Sequence, residues 1–174
     1  MAADLADALR WITQVLNDLA IPHQVVGGLA ARAYGSTRPV ADIDLYVSDE
    51  AALGRLASAC GEHLRRPPER HRDEHWDLTF LELRWNGWSV EAAAASTARV
   101  WDRRTREWAP AGIRFEDSEV REVEGVRLPV MPKLQLVDYK AGLGREVDRL
   151  DLAALERPQG EERARMGRRD RSRG

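Results

Sequence analysis

Two carboxylates, Asp42 and Asp44, stand two residues apart in the run Asp42-Ile43-Asp44-Leu45. On an extended strand they point to one face, while Ile43 and Leu45 point to the other, toward a core. Carboxylates held that close repel unless a cation sits between them. Hard oxygen donors on one face suit Mg²⁺ bound together with substrate phosphates. Upstream, Val25-Val26 leads into Gly27-Gly28, and thirteen residues (29 to 41) separate the glycines from Asp42. A Gly-Gly pair at a strand-to-helix junction lets backbone come close to a ligand. The free N–H groups of the helix that follows favour an anion, typically phosphate.

These residues need elements to hold them. Leu5, Leu9, Ile12, Leu16 and Leu19 recur at helical spacing, so residues 4 to 20 read as an amphipathic helix ended by Ile21-Pro22. His23 to Val26 reads as a strand, Leu29 to Tyr34 as a short Ala-rich helix, and Ser36 to Ala41 as a return loop. Asp42 to Val47 alternates as a strand does, and Ser48 to Glu50 cap a helix running to about Leu64, with Cys60 inward. Arg65 to His75, with Pro67-Pro68, reads as a polar loop. Asp77 to Trp85 and Trp88 to about Ala93 flank Asn86-Gly87, the signal of a two-residue type I′ hairpin. Residues 96 to 112 read as a short turn or helix followed by loop. Ile113 to Glu116 and Glu119 to Val130 read as strands, the latter turning at Glu124-Gly125. Pro132 to Leu143 and Glu146 to Leu155 read as helices interrupted at Gly144. The expected fold is α/β (α+β), a small mixed β-sheet flanked by helices, in one domain over residues 1–156. Residues 157–174 carry seven Arg against three acidic residues and are expected to form a disordered tail.

The hairpin register brings in more carboxylates. With Asn86-Gly87 as the turn, Trp85 pairs with Trp88, Leu83 with Val90, and Glu82 lies opposite Glu91. Like charges directly across a ladder are destabilising. A bound metal, a raised pKa or a nearby Arg would relieve them.

The ordered pair of Gly27-Gly28 and Asp42-Ile43-Asp44-Leu45 resembles the signature of the nucleotidyltransferase superfold, that of DNA polymerase β, over residues 25 to 47. With the Ala-rich helix and Thr37-Arg38, it is similar to small lincosamide and aminoglycoside nucleotidyltransferases and to those of toxin–antitoxin systems. The resemblance implies Asp42, Asp44 and a third carboxylate as catalytic metal ligands for Mg²⁺. Glu91 fills the third place, where relatives more commonly carry Asp, and Glu82 is the alternative. It implies an NTP, expected to be ATP, with its phosphates at Gly27 and Gly28 and contacts from Thr37, Arg38 and Lys140. Lys140 lies in a Tyr-Lys-x-x-Leu-Gly-Arg-x-x-Asp stretch, and similar helices close the domain in relatives. In the implied reaction an acceptor hydroxyl attacks the α-phosphorus and pyrophosphate leaves, with Glu91 taking the hydroxyl proton or sharing a second metal. The acceptor is expected to be a small molecule. A toxin–antitoxin enzyme acting on tRNA or protein, and a non-catalytic binding protein of the same fold, are the alternatives. A homodimer or an antitoxin partner would fit either arrangement.

Composition bounds these readings. Hydrophobic residues make 43% of the chain, charged residues 32%, and the net charge is −2, so no general electrostatic affinity for nucleic acid is indicated. No apolar run approaches the ~18 residues that would cross a bilayer. Asp4 and Asp7 replace the basic start of a secretory leader, and a cytoplasmic location with no membrane association is expected. The single cysteine, Cys60, excludes a disulfide framework. His71-Arg72-Asp73-Glu74-His75 matches an H-x-x-E-H peptidase pattern, which needs both His on one helix, and no helical stripe surrounds it. Trp76, Trp85 and Trp88 gather at the hairpin, either as cross-strand packing or as a platform for acceptor or base.

Overall fold

The structure, a computed structural model, describes residues 4–157. Its elements in chain order are α1 (Leu5–Asp18), β1 (His23–Val25), α2 (Gly27–Ala33), β2 (Ile43–Val47), α3 (Glu50–Ala59), β3 (Leu64–Arg72) and β4 (Trp76–Trp85). There follow β5 (Trp88–Ala94), β6 (Arg99–Asp102), β7 (Glu107–Pro110), β8 (Glu119–Val123), β9 (Val126–Val130), α4 (Lys133–Leu143) and α5 (Glu146–Leu155). The described strands form one nine-stranded mixed sheet in the order β7-β6-β4-β5-β2-β1-β9-β8, with β3 paired to β4 beside that path. β2 runs parallel to β5 and β1 to β9, and the other pairs are antiparallel.

Strand alternation gives this sheet two unlike faces. Ile43, Leu45 and Val47 lie beside Val90, Ala92 and Ala94, and Leu81 and Leu83 continue the rows on β4. All of them are buried. α1 and α3 cover this apolar face. Asp4 caps α1 at the Ala6 N–H, and Leu5, Leu9, Ile12 and Leu16 form its inward stripe. Burying a side chain of this size contributes roughly 1.5–3 kcal/mol. Trp11 of α1 stacks on Trp85 with ring centroids 5.6 Å apart. Trp85 and its partner Trp88 therefore belong to the packed face. Trp76 lies on the other face, so the three tryptophans do not form one platform.

Four expectations need correction. Residues 65–75 are mostly strand β3, not loop. Pro67 and Pro68 are tolerated because β3 is an edge whose register shifts between Leu64 and Arg66 and again between Arg66 and Glu69. α3 stops at Ala59, and a 3-10 turn at Gly61–His63 replaces its expected last turn. Residues 96–112 hold the β6–β7 hairpin, with Trp101 packed against Trp108. Its turn uses Arg106 at a φ of +60°, with no glycine to announce it. Ile113 to Glu116 is not a strand, and Phe115–Asp117 forms a 3-10 turn instead. The expected tail lies almost wholly outside the described residues.

The Asn86-Gly87 turn closes β4 onto β5 with φ values of +46° and +94°, as a type I′ turn requires. Gly54, by contrast, sits inside α3 with open space where a Cβ would stand. Gly87→Ala is expected to lower the melting temperature by roughly 2–4 °C, the size of an effect near 1 kcal/mol in a chain of this length. Gly54→Ala should raise it by a similar or smaller amount. Thermal unfolding followed by circular dichroism reads both.

Candidate active site

The sheet's second face carries the carboxylates in a row. Asp44 on β2 is in register with Glu91 on β5, Glu91 with Glu82 on β4, and Glu82 with Arg66 on β3. Neighbouring strands lie ~4.8 Å apart, so the side chains on this face stand close together. Asp42 precedes β2 by one residue and joins the end of the row. One step along the strands the row is Tyr46, Ala93 and Phe80. The small residue between two aromatic ones leaves space, and a cavity of about 460 Å³ lies over both rows. Arg66 and His71 of β3, Asp73, Trp76, Tyr139, Lys140 and Arg145 also line it.

The electrostatics follow from this crowding. Burial, then the charges of Asp42 and Glu91, push the Asp44 carboxyl up to about 8, with Lys140 and Arg145 pulling the other way. Glu91 is raised by burial and by Asp42 and Glu82, against Arg66 and His71. Glu82 accepts a hydrogen bond from Ser89 Oγ at 3.1 Å.

Gly27 and Gly28 stand at the start of α2, where the chain turns off β1. Gly27 has a φ of +66°, and a Cβ there would collide with the Asp44 carboxylate. A Cβ on Gly28 would come within 2.8 Å of Arg38 Nη2. The glycines thus leave room for an acidic and a basic side chain of the site itself.

A buried ion network adjoins the carboxylates. Asp151 accepts Arg38 Nε at 3.0 Å and Nη2 at 2.9 Å, Lys140 Nζ at 2.9 Å, and Ser36 Oγ at 3.2 Å. Asp148 accepts Arg145 Nε at 2.7 Å, Nη2 at 3.0 Å and backbone N–H at 3.1 Å, and Lys140 Nζ at 3.4 Å. Burial alone would raise Asp151, but its bonds to Arg38 and Lys140 outweigh that and hold it below the usual range. Three cations meet two carboxylates, so the network leaves positive charge beside the acidic row.

Gly27, Asp42, Asp44, Glu91 and Lys140, all expected from the sequence, line this one cavity, and Glu82 joins them. Gly28, Thr37 and Arg38 do not line it: Thr37 is exposed, and Arg38 is held on Asp151. The sequence reading missed Arg145, Asp151, Arg66 and the pairing of Trp76 with Tyr139. A signal existed for Asp151, since it and Asp148 stand one helical turn apart on the face that also buries Leu155. Cys60 is buried and its thiol is raised by that burial, which fits packing and not nucleophilic chemistry. His71 lies on a strand and His75 in the following turn, so they do not share a helical face.

The donor set fits Mg²⁺. Asp42, Asp44 and Glu91 offer only oxygen, and their mutual repulsion is what a cation would relieve. Among the described residues no three His, Cys, Asp or Glu side chains are gathered tightly enough to hold a metal by themselves. Phosphate oxygens and water would complete the octahedron.

No family model matches the sequence, and no curated protein matches it significantly. Solved structures do match. TM1012 of Thermotoga maritima, a candidate nucleotidyltransferase, aligns with a TM-score of 0.61 at 20% identity, covering 97% of each chain. The lincosamide antibiotic adenylyltransferase LnuA, solved with lincomycin bound, aligns at 0.56 and 12% identity, over 85% of this chain and 94% of that one. ANT(2")-Ia, solved with adenylyl-2"-tobramycin, aligns at 0.52 and 16% identity, over 94% of this chain and 96% of that one. The chain has the nucleotidyltransferase fold. Among the described residues no helix is long and apolar enough to cross a membrane.

Asp44 sets a pH dependence. In the unfolded chain it ionises near its ordinary value of 3.8, whereas in the folded chain it stays protonated until about pH 8. Its contribution to stability is therefore full below pH 3.8 and is lost as pH rises toward 8. Asp44→Asn removes the ionisation. Its melting temperature should gain on the wild type as pH rises, with a difference at least about 4 °C larger at pH 8.5 than at pH 4.5. Parallel thermal melts at the two pH values test this.

Proposed function

We propose that this chain is a Mg²⁺-dependent nucleotidyltransferase that moves a nucleoside monophosphate from an NTP, ATP first among them, to a hydroxyl of a small-molecule acceptor. Pyrophosphate is the second product. The observation that carries the reading is the lateral register of Asp44 with Glu91 on parallel β2 and β5, with Asp42 at its end and Lys140 across the cavity.

Asp42 and Asp44 would hold the metal, which would supply neutralisation of phosphate charge. Glu91, raised above the usual carboxylate range, takes the acceptor hydroxyl proton as that oxygen bonds to phosphorus. Lys140 Nζ has three donors, and Asp148 and Asp151 occupy two of them. The third is left for a phosphate oxygen. The adenylyltransferases with this fold act on antibiotics, which favours a small acceptor. The charge favours it too: outside residues 157–174 acidic residues outnumber basic ones, the wrong sign for a tRNA-binding face.

Titration calorimetry of a non-hydrolysable ATP analogue tests the site. Binding to the wild type should require Mg²⁺, and Asp42→Ala/Asp44→Ala should weaken it beyond detection while leaving the fold intact. Absence of binding by analogues of all four NTPs to folded protein would leave a non-catalytic nucleotidyltransferase-fold protein. A screen of hydroxyl compounds for pyrophosphate release then identifies the acceptor. Glu91→Gln should lower turnover by about 10²-fold or more with nucleotide affinity kept, whereas Glu82→Gln should stay within about tenfold. The reverse order would move the base to Glu82.

A further inference from the structure

Trp76 is the tryptophan that faces the cavity, and its surroundings fix it. Its Nε1–H donates to Tyr139 Oη at 3.0 Å, and the Arg145 guanidinium lies 4.7 Å from the centroid of its ring. Arg145 is itself forked onto buried Asp148. A flat cation locked over a locked indole is a preorganised stacking surface. Both groups line the same cavity as Asp44.

The position of this stack relative to the carboxylates says which substrate it meets. The acceptor hydroxyl has to arrive at Glu91, whose other charged neighbours are Glu82, Arg66 and His71. Lys140 and Arg145 bear instead on Asp44, and Trp76 and Tyr139 join Arg145 there, so the stack stands on the Asp44 side, which is left to the nucleotide. We propose that the Trp76–Arg145 stack is the nucleobase platform of this site, and that it takes purine triphosphates without choosing between ATP and GTP. The inference rests on the nucleotidyltransferase reading.

The lack of choice follows from the polar groups at this end, which already have partners. Tyr139 Oη accepts from Trp76 and shares a hydrogen bond with Tyr46 Oη at 3.3 Å. The Arg145 fork is spent on Asp148, and no Asn, Gln, Ser or Thr lines the cavity. Asp73, beside Trp76, spends Oδ1 on the backbone N–H groups of His75 and Trp76 and pairs Oδ2 with His71 Nε2, so these groups leave the edge that distinguishes adenine from guanine unread. A stacking surface reads the face of the ring, where a purine offers more area than a pyrimidine.

Calorimetry with Mg²⁺ and four probes decides it: non-hydrolysable ATP, GTP and CTP analogues and inorganic tripolyphosphate, which has no base. On the wild type, the ATP and GTP analogues should bind within about threefold of each other and the CTP analogue several-fold more weakly. Trp76→Ala should weaken the purine analogues by about tenfold or more and leave tripolyphosphate unchanged, and Trp76→Phe should restore most of the loss. Purine affinity untouched by Trp76→Ala would overturn the platform and give this surface to the acceptor. An equal loss for tripolyphosphate would overturn it in favour of a structural role. Discrimination beyond tenfold between the ATP and GTP analogues would overturn the unselective reading. If Trp76→Ala does not fold, Trp76→Leu takes its place, keeping apolar bulk without a ring, and the same outcomes decide. Wild-type protein that binds neither tripolyphosphate nor any nucleotide would instead remove the nucleotidyltransferase reading beneath it.

Discussion

The α4–α5 corner depends on a charge arrangement that a protein interior tolerates only when complete. Lys140, Asp148 and Asp151 are almost fully buried. An ion removed from water costs several kcal/mol unless partners replace its hydration. Here each oxygen of the two carboxylates has at least two donors, from Lys140, Arg145, Arg38 and Ser36. Those donors come from three places: the return loop after α2, α4 and the start of α5. Satisfying the carboxylates therefore fixes the loop against two helices. Gly144, at a φ of +60°, makes the tight corner that lets α5 fold back on α4. Loss of Asp151 would take from Arg38 its carboxylate and from Lys140 its nearer one, and loss of Asp148 would do the same to Arg145.

That network stands beside an opposite arrangement, which is incomplete. The acidic row has its negative charge unrelieved, and burial together with the charges of Asp42 and Glu91 keeps a proton on Asp44 up to about pH 8. Strand register leaves Asp44 no escape. Moving it would break the β2–β5 ladder and turn Ile43 and Leu45 out of the core. The apolar face under α1 and α3 thus holds the row together from behind. The fold is stabilised on one face and frustrated on the other, and a bound cation would supply the missing relief.

Much of this was legible in the chain. Asp-x-Asp on an alternating strand showed which face the carboxylates take, and Asn86-Gly87 fixed the opposition of Glu82 and Glu91 before any coordinates. The rest was hidden for identifiable reasons. β3 carries Pro67-Pro68 and reads as loop, because an edge strand with bulges obeys fewer rules than a central one. With β3 lost, Arg66 and His71 could not be assigned to the cavity wall. The β6–β7 turn has no glycine, so its four-residue strands were invisible to turn signals. Arg38 was read as a contact for the triphosphate. Its partner Asp151 lies 113 residues later, and no local pattern joins them.

The two charge clusters also give the site a direction. Lys140 belongs to the cationic network and lines the cavity across from the row, so phosphate charge placed between them meets carboxylates and a lysine at once. A polyanion that brought its own cation would relieve both clusters at once. A simple anion would be repelled by the row, and a free amine would be repelled by Lys140 and Arg145. Lys140 and Arg145 bear on Asp44, whereas Arg66 and His71 bear on Glu91, so the row meets different cations along its length.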